Sequence, residues 1–459
     1  MPKDVIRQLK LALRCLGAEN FQPRVGLAYT VKSKTVIRAG VGLFADQFEG
    51  NLVSRFFTNT PNVANFTTAS GIVAAPGTPG SMFALVAASN AALQQGFVGG
   101  ATLAQLKAAV PLFGTPNLYT QADNFHIPRY LEWNFEIQQE ISPAVTVSVN
   151  YVGNHGWDEY NQNAWLNTYS TTGFGGLPTA PLDTRFAEIN QLSNQGHSNY
   201  EGLSPSVKWR WGSLVGQANY TWSHNLDTCS NNCLGRFNLS TSPSLRYQEG
   251  PAGVNTSYGN ADYDIRHSFT ANYVCTIPTR FKSGMLKSSL GGWSLGGTFQ
   301  AHSGYPYSVI NSGLRSAYVK NSSGIATLAI FPDYIGGSAS NSCTTPDIAC
   351  VTKAEFVTTA NQKDFGNLGR NAFRGPGFFD TDFNVNKRFA IGERFGFNVG
   401  ASFYNILNHP NFDLPVSNLA LGNLGAITST VAPASSAYGS FQGGAVSGRV
   451  VVMKAKFDF

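Results

Sequence analysis

No stretch of this 459-residue chain approaches 18 uninterrupted apolar side chains, so helical membrane spans are excluded. Charge is scarce as well. Asp, Glu, Lys and Arg supply 13% of the residues, against about 25% in ordinary soluble domains. Low charge points toward a membrane, while the missing apolar runs point away from helices. The mean hydropathy of −0.11 fits a sheet that turns half its side chains to lipid and half to water, because the two halves average out. The net charge of +6 is spread without any Lys/Arg run, which speaks against a nucleic-acid partner. No Gly-x-Ser-x-Gly elbow and no His-Glu-x-x-His pair occurs, and Gly40-Val-Gly42 and Gly291-Gly292 lack the strand-to-helix context of a phosphate cradle. The expectation is a chain that is not an enzyme, with no catalytic residues, no cofactor and no metal. Cysteine is sparse: Cys15, Cys229, Cys233, Cys275, Cys343 and Cys350. Cys229/Cys233 and Cys343/Cys350 fall in loop-like stretches and suit local disulfides of an oxidising compartment. Their spacing, with no His pair nearby, suits zinc poorly.

What the chain has in quantity is Phe (32), Tyr (18) and Gly (48), set in segments of strict alternation. The last eleven residues are the clearest. Val451, Met453, Ala455, Phe457 and Phe459 share one face, and Lys454, Lys456 and Asp458 lie on the other. The same pattern recurs at Val25–Val31, Ile37–Leu43, Leu131–Ile137, Val145–Tyr151, Leu203–Trp209, Leu214–Trp222, Phe269–Ile277, Trp293–Ala301, Phe379–Phe389 and Phe395–Phe403. That makes about eleven strands, each roughly 8 to 12 residues and so long enough to cross a bilayer when tilted. Trp133, Tyr151, Trp209, Trp222, Trp293, Phe389 and Phe403 sit near strand ends, as in the aromatic girdles of a membrane barrel. Short turns near Lys32, Pro143, Gly212 and Gly392, with a longer one at 278–292, alternate with long loops at 46–128, 154–199, 224–264, 303–377 and 406–447. The loops read as surface excursions, with one weakly helical patch at Ala101–Val110.

The fold class implied is all-β: a partial antiparallel transmembrane β-barrel with long extracellular loops, its C-terminus periplasmic. Residues 21–459 are expected to form that one domain. Residues 1–20 carry Leu9, Leu11, Ala12 and Leu13, interrupted by Lys10 and Arg14, with no cleavage site. They are expected to be a short helix or the mark of a truncated chain.

Asp262, Asp264, Arg266 and His267 are the densest ionisable cluster. On one reading they form an acid–base or metal group at a strand mouth. On the other, Arg266 faces the lumen and the acids are loop residues pairing with it. His409, in Asn408-His-Pro-Asn411, is expected to hold a loop turn. Arg266, Asp380, Asp382 and Arg388 are the candidate lumen-facing charges, and Val451, Met453, Phe457 and Phe459 the membrane-facing residues of the last strand.

Several segments carry a family resemblance: Phe21-Gln-Pro-Arg-Val-Gly-Leu-Ala-Tyr29, Glu132-Trp-Asn-Phe-Glu-Ile137, Tyr220-Thr-Trp-Ser-His-Asn-Leu-Asp227, Asp264-Ile-Arg-His267, Leu290-Gly-Gly-Trp293, Gly369-Arg-Asn-Ala-Phe-Arg-Gly-Pro-Gly377 and Phe403-Tyr-Asn-Ile-Leu-Asn-His-Pro-Asn-Phe412. In that order they resemble the C-terminal barrel of TonB-dependent receptors of the Oar-like group, over about residues 21–459. The resemblance implies a Gram-negative outer membrane and transport of a bulky substrate. Its partners would be outer-membrane lipid, the barrel-assembly machinery acting on the C-terminal strand, and TonB if an upstream plug exists. The family's regulatory-like sandwich, plug and TonB box are not visible here. A complete barrel of this type has about 22 strands, so the chain resembles its C-terminal half, a truncated copy. Two alternatives stand beside transport: a passive porin-like channel or a loop-displaying adhesin. A hydrolase working from the loops would need Asp262, Asp264, His267 and His409 to converge.

Overall fold

In the computed structural model the alternating segments become strands that pair in chain order. The structure describes residues 21–46, 50–60, 63, 66, 78, 80–123, 125–230, 257–277, 289, 291–322, 324–325, 330–336, 349–391, 395–431 and 448–459. The strands are β1 (Arg24–Lys32), β2 (Thr35–Ala45), β3 (Arg129–Ser142), β4 (Val145–Asn163), β5 (Ile189–Trp211), β6 (Leu214–Asp227), β7 (His267–Thr276), β8 (Trp293–His302), β9 (Phe378–Ile391), β10 (Phe395–Tyr404) and β11 (Val450–Asp458). Every neighbouring pair on this path is antiparallel. Two short strands at the rim, Leu118–Gln121 beside β5 and Gly259–Asn260 beside β6, complete a 13-stranded sheet. Residues 1–20, with the segment expected there, lie outside the described residues, as do Cys15, Cys233, Cys343, Gly392 and Glu393.

Register fixes which side chains share a face. Thr146, Lys208, Gln217, Asn272, Thr298 and Asp382 are successive partners across β4 to β9 and form one polar row. One residue along, Val147, Val207, Ala218, Ala271 and Phe299 form an apolar row on the opposite face. The apolar face is not covered: Ile137 is 41% exposed, Trp222 57% and Met453 78%. A continuous exposed apolar band of this size is what hydrocarbon, rather than water, solvates. The sheet is thus the all-β, antiparallel, partial outer-membrane barrel that the alternation implies. Phe269 and Phe299 (centroids 5.5 Å apart) and Phe299 and Phe379 (5.1 Å) meet edge to face along it.

Tight turns close one end. Gly212, between β5 and β6, takes φ +62°, which a β-carbon would disfavour. The other end carries the long connections, and these differ from the expected surface excursions. Four apolar clusters lie there, including Tyr307, Val309, Phe331, Phe356 and Phe373 in one and Trp165, Phe174, Leu314 and Ile330 in another. The buried apolar core is therefore in the loops. The helical patch expected at 101–110 is a helix over Leu103–Ala109, closed by a capping box between Thr102 and Gln105. A longer helix, Met82–Val98, precedes it, with the Ala84 amide donating to Ser81.

Two further expectations are corrected. The loop placed at 154–199 shrinks, because β4 runs to Asn163 and β5 starts at Ile189. Those extensions carry polar residues on both faces, having left the bilayer, and so show no alternation. The outward row of β9 is also not uniformly apolar. Lys387 lies on it, 2% exposed, donating to the Ser289 carbonyl (3.1 Å) and to that of Gly291, with its ammonium over the rings of Trp293 and Phe389.

Among the described residues β1 pairs only with β2, and β11 only with β10. An even number of antiparallel steps separates these edges, so they run the same way and cannot pair with each other antiparallel. Adjacent positions in mid-strand test the two faces. Ala218→Arg should cost about 2–4 kcal/mol of stability in phospholipid vesicles, and Gln217→Arg on the polar face much less, by equilibrium unfolding.

Candidate functional site

Above the bilayer the protruding part of β4 bends. Counted from the turn at Pro143, about eleven residues are enough to cross, so Asp158 and Glu159 stand clear of the membrane-spanning part. The pairing register with β5 slips between Gly156 and Glu159, and Asp158 adopts φ +57°. Such a bulge re-aims the following side chain. It turns Glu159 onto the polar face, above the cross-strand row Asn154–Tyr200–Asn225. Gly156 leaves room for this packing: a β-carbon there would collide with the Glu159 carboxylate, the Ser198 hydroxyl (2.7 Å) and the Tyr130 ring (2.9 Å). Ser198 donates to Glu159 at 2.5 Å. Tyr130, Glu159 and Ser198 line a cavity of about 500 Å³, together with Asp46, Asp227, Ser230 and Tyr263. Burial pushes the Glu159 carboxyl above the usual carboxylate range, and pushes the Tyr263 phenol up as well.

Two of the lining residues, Asp227 and Ser230, are held by a buried arginine. Arg370 is fully buried and pairs with Asp227 and, at 3.6 Å, with Asp262. It also donates to the Asp227 carbonyl (2.8 Å) and to Ser230 (3.3 Å). Next to it, Asn371 takes φ +53° and donates to Asp262 (2.7 Å) and to the Asn260 carbonyl (2.7 Å). Arg374 and Arg266 both pair with Asp264, which in turn accepts from the Asn225 amide at 2.7 Å. The connections β6–β7 and β8–β9 are thereby locked together. Three cations and three anions taken wholly or partly from water need this density of hydrogen bonds to be tolerated.

The charges singled out from sequence fall in three places. Asp262 and Asp264 are engaged in the clamp. Arg266 lies one residue ahead of β7, bonded to Asp264, His224 and Asn260. His267 bonds to the Tyr220 hydroxyl (2.7 Å), and His409 packs its ring edge-on to Phe379. Of the four groups a hydrolase would bring together, Asp262 and Asp264 thus share the clamp, while His267 and His409 belong to other contacts. The backbone of His409 is held by Asn405, which accepts from its amide (2.9 Å) and donates to its carbonyl (2.8 Å), fixing the turn. Asp380, Asp382 and Arg388 share one face of β9. Asp382 accepts from the Asn405 amide, while Arg388 lies near Asp458 of β11. Val451, Met453 and Phe457 pair with Phe403, Ala401 and Phe397 and so lie on the apolar face; Phe459 is the exposed end. Cys229 and Cys350 are disulfide-bonded, and Cys275 is free.

Glu159 was missed from sequence because plain alternation puts it on the wrong face. Arg370 and Arg374 were seen only as part of a motif, and their partners lie more than a hundred positions away. Arg370→Met should leave Asp227 and Asp262 uncompensated and cost about 3–5 kcal/mol of local stability. Hydrogen exchange should then accelerate in 257–264 and 366–374, and part of the loss should return when both Asp residues are also changed to Asn.

Comparison with known proteins follows the geometry. No curated protein sequence matches the chain. Among solved structures, the outer membrane transporter YddB from Escherichia coli is similar at 11% identity and a TM-score of 0.47, covering 97% of this chain and 41% of its own. The FrpB iron transporter from Neisseria meningitidis aligns at 11% identity and a TM-score of 0.39, over 89% of this chain and 37% of its own. The chain therefore spans about two fifths of the length of these structures. The family model described as an outer membrane beta barrel domain matches residues 13–442. With nearly the whole length matched, the chain belongs to the outer membrane beta barrel domain family.

Proposed function

We propose that the chain is the barrel of a TonB-dependent receptor of the Oar-like kind, carrying a bulky substrate across the outer membrane, and that it is a truncated copy of the complete barrel. The carrying observation is the asymmetry of the sheet. One end is closed by tight turns. The other bears a packed, disulfide-bonded and clamped loop layer that surrounds a polar cavity on the face opposite the apolar band. Such a layer suits capture, because its apolar clusters and buried ion pairs hold the walls in one arrangement before a ligand arrives.

On this reading residues 21–459 are the barrel domain. The tight turns and the C-terminus lie in the periplasm, and the loops face outward. Val451, Met453, Phe457 and Phe459 meet lipid and present the strand read by the assembly machinery, while Asp380, Asp382 and Arg388 line the lumen, with Arg266 at its rim. The two edges, unpaired among the described residues, support the truncated reading, since unpaired backbone is not tolerated in hydrocarbon. Closing an all-antiparallel barrel between edges that run the same way takes an odd number of further strands. TonB would act through a plug supplied with those strands.

Orientation is tested on intact cells with a membrane-impermeant maleimide. Thr179→Cys should label directly, and Ser33→Cys only after the outer membrane is permeabilised; the reverse pattern contradicts the reading. The purified chain in planar bilayers should show no sustained conductance. Stable open-channel steps would replace the receptor with a passive pore.

A further inference from the structure

The cavity has a pronounced charge character. Its lining includes Asp46, Glu159 and Asp227 but no Lys, Arg or His. Asp227 is neutralised by Arg370. Glu159 accepts from Ser198; His155, outside the lining, is near enough to attract it, and Asp46 near enough to repel it. The cavity is thus an anionic enclosure in a protein whose net charge is +6. Four tyrosines, Tyr130, Tyr160, Tyr200 and Tyr263, line it beside smaller polar residues, and phenol faces attract cations as carboxylates do. The arrangement is not the default course of a strand. It requires the register slip, a left-handed Asp158 and a glycine at 156 where any β-carbon would block the carboxylate. A non-glycine residue held at positive φ, beside a cavity, is where a binding role is sought. The volume of about 500 Å³ falls in the range that accepts a small organic molecule rather than a bare ion.

We infer that this cavity binds an organic cation, a molecule carrying ammonium or guanidinium groups. Glu159 and Asp46 receive the charge, the tyrosine rings flank its alkyl or aromatic body, and Asn154 and Asn225 accept or donate to its remaining polar atoms. The inference deepens the receptor reading and rests on it for the ligand's arrival from outside the cell. The binding site itself stands without TonB.

The test uses the full chain, folded in detergent micelles and titrated with spermidine by calorimetry. A matched neutral polyol and calcium ions alone serve as comparison probes. Saturable spermidine binding is expected, with at least a tenfold loss in Glu159→Gln and no change in Lys208→Gln, which lies at the opposite end of the polar face. Gly156→Ala should weaken binding as well, and heat-modifiable migration in gels would show that each variant is folded. Equal binding of the polyol, displacement of spermidine by calcium, unchanged affinity in the folded Glu159 variant, or no binding at all would each overturn the inference. The two readings fail separately: a spermidine-binding chain whose maleimide labelling is reversed keeps the site and loses the receptor.

Discussion

A side chain can be left against hydrocarbon only if the backbone beside it is fully hydrogen-bonded, and in this chain that condition is met by antiparallel pairing between neighbours in sequence. Each ladder from β1 to β11 satisfies its own stretch of membrane, and the registers align the mostly polar face of each strand with that of the next and the mostly apolar face likewise, Lys387 being an exception. A slip of one residue would carry Lys208 and Gln217 into lipid and Phe299 into the lumen. The same condition makes the two edges of the sheet its exposed weakness.

Because lipid solvates the strand surface, the strands contribute little buried apolar core. The core lies instead in the connections, where Tyr307, Val309, Phe331 and Phe373 pack as they would in a soluble domain. The Arg370 clamp joins two of those connections and holds Asp227 and Ser230, which line the cavity. Cavity geometry and loop packing are thus linked through one guanidinium, which ties a residue at the end of β6 to the loop before β9. The bulge at Asp158 does for β4 what the clamp does for the loops: it sets where a carboxylate points.

The strands were legible in sequence because a period of two with polar residues on one face runs through the middle of each of them. Even the course of chain between Pro143 and Tyr151 follows it residue by residue. Legibility stopped where the strands left the bilayer. Asn161, Gln162 and Asn190 are buried among polar partners, so no apolar rhythm marks β4 and β5 there. The helix Met82–Val98 is apolar nearly all round, with polar side chains only at Ser89, Asn90, Gln94 and Gln95, and so has no apolar stripe to announce it. Lys387 was passed over because a lysine on an outward row contradicts the rule, and only the carbonyls of Ser289 and Gly291 explain it. Glu159 required knowing the bulge, and the clamp required knowing which distant loops meet. Sequence periodicity reports neither.

Depth-dependent quenching of tryptophan fluorescence by brominated phospholipid tests the central claim most directly. In reconstituted vesicles, a variant retaining only Trp222, on the uncovered apolar face, is compared with one retaining only Trp165, buried in the loop core. The account predicts strong quenching of Trp222 by chains brominated near the headgroup and little quenching of Trp165. Equal quenching of both, or quenching of Trp165 alone, would mean that the apolar face of the sheet does not meet the bilayer.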